Sequence, residues 1–388
     1  MKKRDLALRL SVHFPDLRRK DLEALVEAAF EEMTQALLED RPLEFRGFGR
    51  LEVHHGRERL FVNPKNQKTY HVRGNRRVVF KVGKDLQERL NRPPRAVLDL
   101  GTQTFRLALG KGEGRGLRVI FRHRVNVRLG EGFREGKLSP QAIQRGLATL
   151  AEFRKILDHL GVEQVQAVGT AILREAQNAE DFHREARRLG FAIRPIPGEE
   201  EAELVLKGVL HGLKLADPFF LVDAGGGSTE VSLVREGRRI WGVSLPFGAV
   251  KLRERFVRDY PLTREEFQGL RNYLVREFQN LRPPEIPSRF VACGGTASLL
   301  AALDLRLAYY LPEKLHGHRL PLERVQALVD HLRGLSLSKI ARLRGMERGR
   351  EDIALPGILI YEQLMRHFGL KELLVSEWGL LEGLLLSF

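Results

Sequence analysis

One cysteine, Cys293, stands in 388 residues, so no internal disulfide can form. Nothing therefore points to an oxidising compartment. Apolar runs long enough to span a bilayer are also missing. The basic start MKKRDLALRLSVHF is broken by Asp5 and Arg9, which leaves no apolar core for a signal peptide. A cytoplasmic chain with no membrane partner is expected. The pattern G-x-x-x-x-G-K-[ST] does not occur, which excludes a P-loop. The pair in LHGHR, residues 315–319, has i, i+2 spacing in a glycine-containing loop. Without a third partner that is poor metal-ligand spacing, and it reads as a loop.

Charge is present in excess. The net charge is +15, which favours polyanionic partners. Residues 1–40 hold 7 Lys and Arg against 9 Asp and Glu, whereas residues 41–92 hold 14 against 5. More than half of the excess lies in about fifty residues, so it is a patch.

That patch follows two amphipathic patterns, KRDLALRLSVHF and RKDLEALVEAAFEEMTQALLED, with apolar residues at helical spacing. PLEFRGFGRLEVHH then alternates around Gly-Phe-Gly, as a hairpin does. GRERLFVNPKNQKTYHVRGNRRVVFKVG is basic and alternating, and KDLQERLN closes the unit as a short helix. The layout resembles the HU/IHF family of bacterial DNA-bending proteins. Its anchors are Arg46-Gly47-Phe48-Gly49, Asn63-Pro64-Lys65 and the ending VVFKVGKDLQERLN.

The resemblance implies a homodimer with two β-ribbon arms in the minor groove of double-stranded DNA. Pro64 matches the wedge at the arm tip, where unstacking one base step bends the duplex. Asn63 flanks it, and Arg57, Arg59, Lys65, Lys68, Arg73, Arg76 and Arg77 would contact phosphate. The chain departs from the family at Asn66-Gln67, where Thr-Gly is common, so a differently shaped turn is expected. The basic arm could also take polyphosphate, itself a polyanion.

NRPPR, residues 91–95, is a short linker with two prolines. Beyond it a pattern occurs twice. VLDLGTQTFRLALGKGE at 97–113 and LVDAGGGSTEVSLVREG at 221–237 each run strand, aspartate, glycine turn with hydroxyl residues, then alternating strand. A repeat 124 residues apart, measured from Asp99 to Asp223, suggests two similar lobes. Backbone N–H groups of such turns can grip an anion, because glycine allows unusual φ and close approach. A third glycine site, FVACGGTASLLAAL, places Gly294, Gly295 and Thr296 between a strand and a helix, where an anion would meet the helix N-terminus.

From residue 95 onward the chain resembles the exopolyphosphatase / guanosine-pentaphosphate phosphohydrolase family. The matching stretches include DLGTQTFRL, GTAILREAQN, IPGEEEAELVLKGV, DAGGGSTE, CGGTAS and VSEWGLLEG. The resemblance implies an α/β fold of two actin–hexokinase-like (ribonuclease H-like) lobes. Here they follow a small α+β HU/IHF-like domain with a β-ribbon arm. The expected boundaries are 1–92 for the DNA-binding unit, 95–215 for the first lobe and 216–388 for the second, with a return of the last helix to the first lobe left open. No counterpart of the helical C-terminal domain of longer members is expected.

Hydrolysis of a terminal phosphoanhydride needs positioning, charge neutralisation and an oriented water. Of Glu199, Glu200, Glu201 and Glu203, the resemblance places the catalytic base at Glu201; acids also simply favour a first helical turn. It assigns Asp223 and Glu230 to a divalent cation, Mg²⁺ or Mn²⁺. Asp99 is either a further ligand or a stabiliser of its turn. Arg106 and Arg174 match arginines beside the phosphate chain. The phosphate cradle would comprise Gly101, Thr102, Thr104, Gly225, Gly226, Gly227, Ser228, Thr229, Gly294, Gly295 and Thr296. Gln103 and Leu381 depart from the family pattern. The expected function is a metal-dependent hydrolase of polyphosphate or of a guanosine penta- or tetraphosphate, tethered to DNA and so nucleoid-associated. The alternative is a DNA-binding sensor of those polyanions without turnover.

Overall fold

A computed structural model describes residues 2–10, 14, 17–72, 74–91, 93–113, 116–215 and 218–388. The chain divides into two units, Met1–Arg92 and Pro93–Phe388.

The first unit opens with helices α1 (Lys3–Leu10) and α2 (Arg19–Leu38), which pack through Ala7, Leu22 and Val26. Strands β1 (Leu43–Phe45), β2 (Gly49–His55) and β5 (Arg76–Val82) form an antiparallel sheet in the order β1-β2-β5. Strands β3 (Arg59–Val62) and β4 (Thr69–Val72) pair only with each other and make the arm. Helix α3 (Lys84–Asn91) closes the unit. Leu25, Phe30 and Leu38 of α2, Phe45 and Phe80 of the sheet and Phe48 of the β1–β2 turn are exposed. So many bare aromatic and aliphatic side chains on so small a unit form a patch of the kind that marks an interface.

In the second unit, strands β6 (Arg95–Leu100), β7 (Phe105–Glu113), β8 (Gly116–Val125), β9 (Val165–Gly169) and β10 (Ile193–Pro195) form one sheet, in the order β10-β9-β6-β7-β8. Helices α4 (Pro140–His159), α5 (Ala171–Glu175) and α6 (Ala179–Arg188) belong to this first lobe. Ser139 starts α4 by accepting the Ala142 N–H at 3.3 Å, and Pro140 supplies the first-turn φ.

Helix α7 (Gly198–Gly212) leads to the second sheet: β11 (Phe219–Ala224), β12 (Thr229–Arg235), β13 (Arg238–Leu245), β14 (Phe290–Cys293), β15 (Arg319–Pro321) and β16 (Glu372–Ser376). Its order is β13-β12-β11-β14-β16-β15. Helices α8 (Ala249–Phe256), α9 (Arg264–Phe278), α10 (Gly294–Asp304), α11 (Pro312–Leu315), α12 (Leu322–Arg333), α13 (Leu337–Ile340) and α14 (Ala354–Phe368) complete the second lobe, and α15 (Leu380–Ser387) ends the chain.

The sheets repeat one plan. The central strand, β6 or β11, lies between an antiparallel hairpin partner and a parallel strand. Both central strands are buried along nearly their whole length, which is why they read as continuous apolar runs. Each carries its aspartate at the end that enters the glycine turn.

Helices α7 and α15 cross the middle. Their side chains Leu204, Val205, Val209, Leu380 and Leu384 share a core with Val97 and Ala108 of the first sheet and Leu221 and Val291 of the second. Helix α7, although encoded within 95–215, packs on β12 and β13, and α15 packs on β6, β7 and β8. Each lobe is thus covered by a helix that borders the other lobe's segment in sequence.

Candidate active site

The two glycine turns meet. Gly226 lies so close to the first turn that a Cβ there would stand 3.3 Å from Thr102 Cβ and 3.4 Å from Gln103 Cβ. At Gly227 a Cβ would stand 2.9 Å from Thr102 Oγ1. None of Gly101, Gly225, Gly226 and Gly227 adopts positive φ. Close approach, not the φ freedom expected from the sequence, is what demands glycine here. Gly294 differs: its φ is +80°, and a Cβ would run into the Asp223 carboxylate.

Between the turns lies a cleft of ≈ 80 Å³. Gly101, Thr102, Thr104, Gly225, Gly226, Gly227, Ser228 and Gly295 line it, as do Asp99, Arg106, Glu201, Asp223 and Glu230. Two expected donors turn away. The Thr229 hydroxyl donates to Phe247 O at 2.8 Å, and the Thr296 hydroxyl to Ala224 O at 2.6 Å. Both are spent on tying the second lobe together. Gly294 opens on a neighbouring cavity.

The acidic groups differ in surroundings. Asp99 is directly opposite Arg106 in the β6–β7 register and accepts from Arg106 Nε at 2.7 Å. Its Oδ1 is buried with no hydrogen-bond partner. Burial works against the Arg106 charge, but Asp99, Asp223 and Glu382 outweigh it and hold the guanidinium firmly protonated. Asp223 is directly opposite Glu230 in the β11–β12 register, the same place in the repeat. Like charges facing each other across strands repel. Neither Asp223 nor Glu230 forms an ion pair among the described residues. Burial raises both carboxyls above their ordinary range, and Asp223 raises Glu230 further. Ser244 donates to Glu230 Oε1 at 2.9 Å.

Glu201 sits in the first turn of α7 and accepts from Arg174 Nη1 at 2.9 Å. The same nitrogen donates to Ile196 O at 2.8 Å, which fixes the arginine. Burial pushes Glu201 up to about 8, with the Glu230 charge adding and the Arg174 bond opposing. The other three acids of the run go elsewhere: Glu199 pairs with Arg239, Glu200 binds Arg194 at 2.7 Å, and Glu203 is exposed. Arg174 reaches the cleft only through Glu201.

Arg350 escaped the sequence reading. It lines the cleft, is 6 % exposed, and donates from Nη1 to Gly295 O at 2.7 Å. Its Nε is buried without a partner. Burial pushes this guanidinium down to about 10, with Glu347 opposing and the Arg124 and Arg106 charges adding. Its counter-charge is Glu347, 3.5 Å away and shared with Arg124, so two buried or half-buried guanidinium groups lean on one carboxylate beside the glycine turns and can receive an anion. Around it the lobes are bridged. Gln103 Nε2 donates to Gly349 O at 3.0 Å, Asn126 Nδ2 to Arg348 O at 2.7 Å, and Arg128 pairs with Asp352 at 2.7 Å. Gln103 therefore holds the Arg350 turn in place.

Among the described residues no group of three or more His, Cys, Asp or Glu is arranged to hold a metal. His316 and His318 bind Gly212 O and Asp304 respectively. A hard cation that takes one or two carboxylates and completes its shell with phosphate oxygens and water needs no such group. Asp223 and Glu230, opposed across the strands and without an ion-pair partner among the described residues, fit it.

In the first unit, Asn63 Oδ1 accepts the Lys65 N–H at 2.9 Å and Asn66 Oδ1 the Lys68 N–H at 3.1 Å. Gln67 takes φ +50°, the region where glycine is usual, so the departing tip still closes. Arg57, Arg59, Pro64, Lys65, Lys68 and Arg77 are exposed. Arg76 instead pairs with Asp40 and donates to Leu38 O at 2.9 Å, while Arg73 lies outside the described residues.

Two lobes of repeated plan, with glycine turns facing across an acidic cleft, define a protein of actin–hexokinase-like fold. The chain belongs to the Ppx/GppA phosphatase family, whose profile matches residues 109–388. It is thereby an enzyme of the phosphoanhydride-hydrolysing type. The profile of bacterial DNA-binding protein matches residues 1–91. Exopolyphosphatase 2 of Mycobacterium tuberculosis is 33% identical over 312 residues, covering 75% of this chain and 97% of that protein. A guanosine-5'-triphosphate,3'-diphosphate pyrophosphatase of Pseudoalteromonas translucida is 28% identical over 300 residues, covering 75% of this chain and 58% of that protein. The crystal structure of the Aquifex aeolicus Ppx/GppA family member has a TM-score of 0.66 at 31% identity, covering 76% of this chain and 97% of that one.

Proposed function

We propose that this chain removes the terminal phosphate of inorganic polyphosphate or of a guanosine penta- or tetraphosphate, with Mg²⁺ or Mn²⁺, while tethered to DNA. The observation that carries the proposal is the convergence of Glu201, Asp223, Glu230 and buried Arg350 on one cleft between two glycine turns. The terminal phosphate lies between the turns, held by backbone N–H groups, Thr102, Ser228 and Arg350. Glu201 takes a proton from the attacking water. A carboxyl raised to about 8 is a stronger base than a free one once its own proton has left, and positive charge placed beside Glu230 would favour that loss. Arg174 holds its carboxylate in one orientation. A divalent cation at Asp223 and Glu230 would neutralise phosphate charge and leave Glu201 to act on the water alone.

The exposed arm residues and the match over residues 1–91 support DNA binding and a nucleoid location. The bare faces of α2 and the first sheet support a homodimer. The test is phosphate release from polyphosphate and from guanosine pentaphosphate, with and without Mg²⁺, for wild type and Glu201→Gln. Equal release by both proteins, on both substrates, sinks the catalytic reading.

A further inference from the structure

One side chain lines three cavities. Arg124 of β8 borders the phosphate cleft, a second cavity of ≈ 300 Å³ and a third of ≈ 450 Å³. The second also contains Arg106 and Arg122, which with Arg124 form a basic row on adjacent strands, Arg106 directly opposite Arg124. Each is matched to a carboxylate: Arg106 to Asp99, Arg122 to Glu382 at 2.8 Å, and Arg124 to Glu347 at 2.8 Å.

The chemistry of the third cavity is different. Leu299, Leu307, Leu343 and Met346 make it apolar, and Tyr309 and Tyr310 supply rings. The Arg124 guanidinium lies 4.7 Å from the centre of the Tyr310 ring. Tyr309 is 80 % exposed. Arg342 and Arg344 border the same groove, and neither pairs with a carboxylate among the described residues.

A phosphate chain needs cations and donors and gains nothing from aliphatic side chains. A heteroaromatic base has flat faces that stack on tyrosine, and its sugar phosphates carry charge for free arginines. This groove shares Arg124 with the phosphate cleft, and shares Arg124 and Tyr310 with the cavity beside the cleft, a layout that matches a molecule with a base at one end and phosphates at the other. We propose that the Tyr309/Tyr310 groove seats the base of a nucleoside polyphosphate whose terminal phosphate lies in the cleft, with Arg124 on a phosphate between them. The inference rests on the cleft being the phosphate site, and it favours a nucleotide over inorganic polyphosphate. Glu347 acts on the ligand only by holding Arg124 in place.

The test compares guanosine pentaphosphate with inorganic tripolyphosphate on the full chain. Both end in the same phosphoanhydride, and only one carries a base. Tyr309→Ala is expected to lower the ratio of kcat/KM for the nucleotide to that for tripolyphosphate at least five-fold, through KM. Tyr309→Phe, which keeps the ring, restores the ratio. An unchanged ratio in Tyr309→Ala overturns the proposal. Equilibrium binding of guanosine tetraphosphate to Glu201→Gln, with and without Tyr309→Ala, separates this failure from that of the hydrolytic reading. Tyr309-dependent nucleotide binding to Glu201→Gln, where wild type itself releases no phosphate, sinks the hydrolase and leaves the groove standing. Binding indifferent to Tyr309 sinks the groove whatever the turnover.

Discussion

Replacing Glu201 by glutamine removes a group whose ionisation the cleft resists. The folded chain holds its proton up to about pH 8, against an ordinary value of 4.5. The sign follows from which state loses the proton first. Above about pH 4.5 the unfolded chain ionises while the folded one does not, so stability falls as pH rises until the folded carboxyl also ionises. At about 1.4 kcal/mol per pH unit, the difference corresponds to roughly 5 kcal/mol lost between about pH 4 and about pH 9. Glutamine cannot ionise, so the variant lacks this slope. It also removes the carboxyl on which the Glu230 charge acts. The stability of wild type relative to Glu201→Gln should therefore fall steadily from about pH 5 to about pH 9. Urea unfolding in EDTA, followed by tryptophan fluorescence, measures it. Both tryptophans, Trp241 and Trp378, lie in the unit Pro93–Phe388, so the signal reports that unit alone. A difference that is flat with pH, or that grows with it, refutes the reasoning.

Mg²⁺ at a hundred times its dissociation constant should stabilise wild type by about 2.7 kcal/mol, and Glu230→Gln or Asp223→Asn should lose that gain in thermal unfolding. Gly208→Ala would drive a methyl into the Gly379 carbonyl where α7 crosses the chain entering α15; calorimetry should show a loss on the order of 3 kcal/mol, whereas Ala at Gly269 of α9, where a methyl meets open space, should cost nothing. Lys65→Ala and Lys68→Ala should each flatten the dependence of log affinity for duplex DNA on log salt by about 0.9. Pro64→Ala should reduce the bend seen by energy transfer between the duplex ends while changing affinity less than the lysine variants do.

The repeat was legible because its signal is local: an apolar strand, an aspartate, and a glycine turn lie within a dozen residues. The direction of a side chain is not local. Thr229 and Thr296 read as phosphate donors by their place in the motifs, yet each donates to a backbone carbonyl of its own lobe and is consumed there. Singling out Glu201 required the resemblance, since Glu199 is drawn away by Arg239, 40 residues on, and Glu200 by nearby Arg194. Arg350 is 55 residues from Gly295, whose carbonyl it binds, in a stretch that also holds Arg342, Arg344 and Arg348. No spacing distinguishes it from them; only burial does.

The same register position carries different chemistry in the two halves of the repeat. In the first lobe the aspartate faces an arginine, so its charge is balanced within the hairpin. In the second it faces a glutamate, and both are pushed toward the neutral form. A symmetric pair of Asp–Arg hairpins would be self-contained and would bind phosphate only through backbone and cation. A symmetric pair of Asp–Glu hairpins would repel it. The mixed pair keeps one balanced jaw and leaves the other two charges short, so that a divalent cation and an anionic substrate stabilise the closed cleft together more than either does alone. The open choice for Asp99 narrows accordingly. Its Oδ2 is engaged by Arg106, and only the buried, unpartnered Oδ1 is left for a water or a cation.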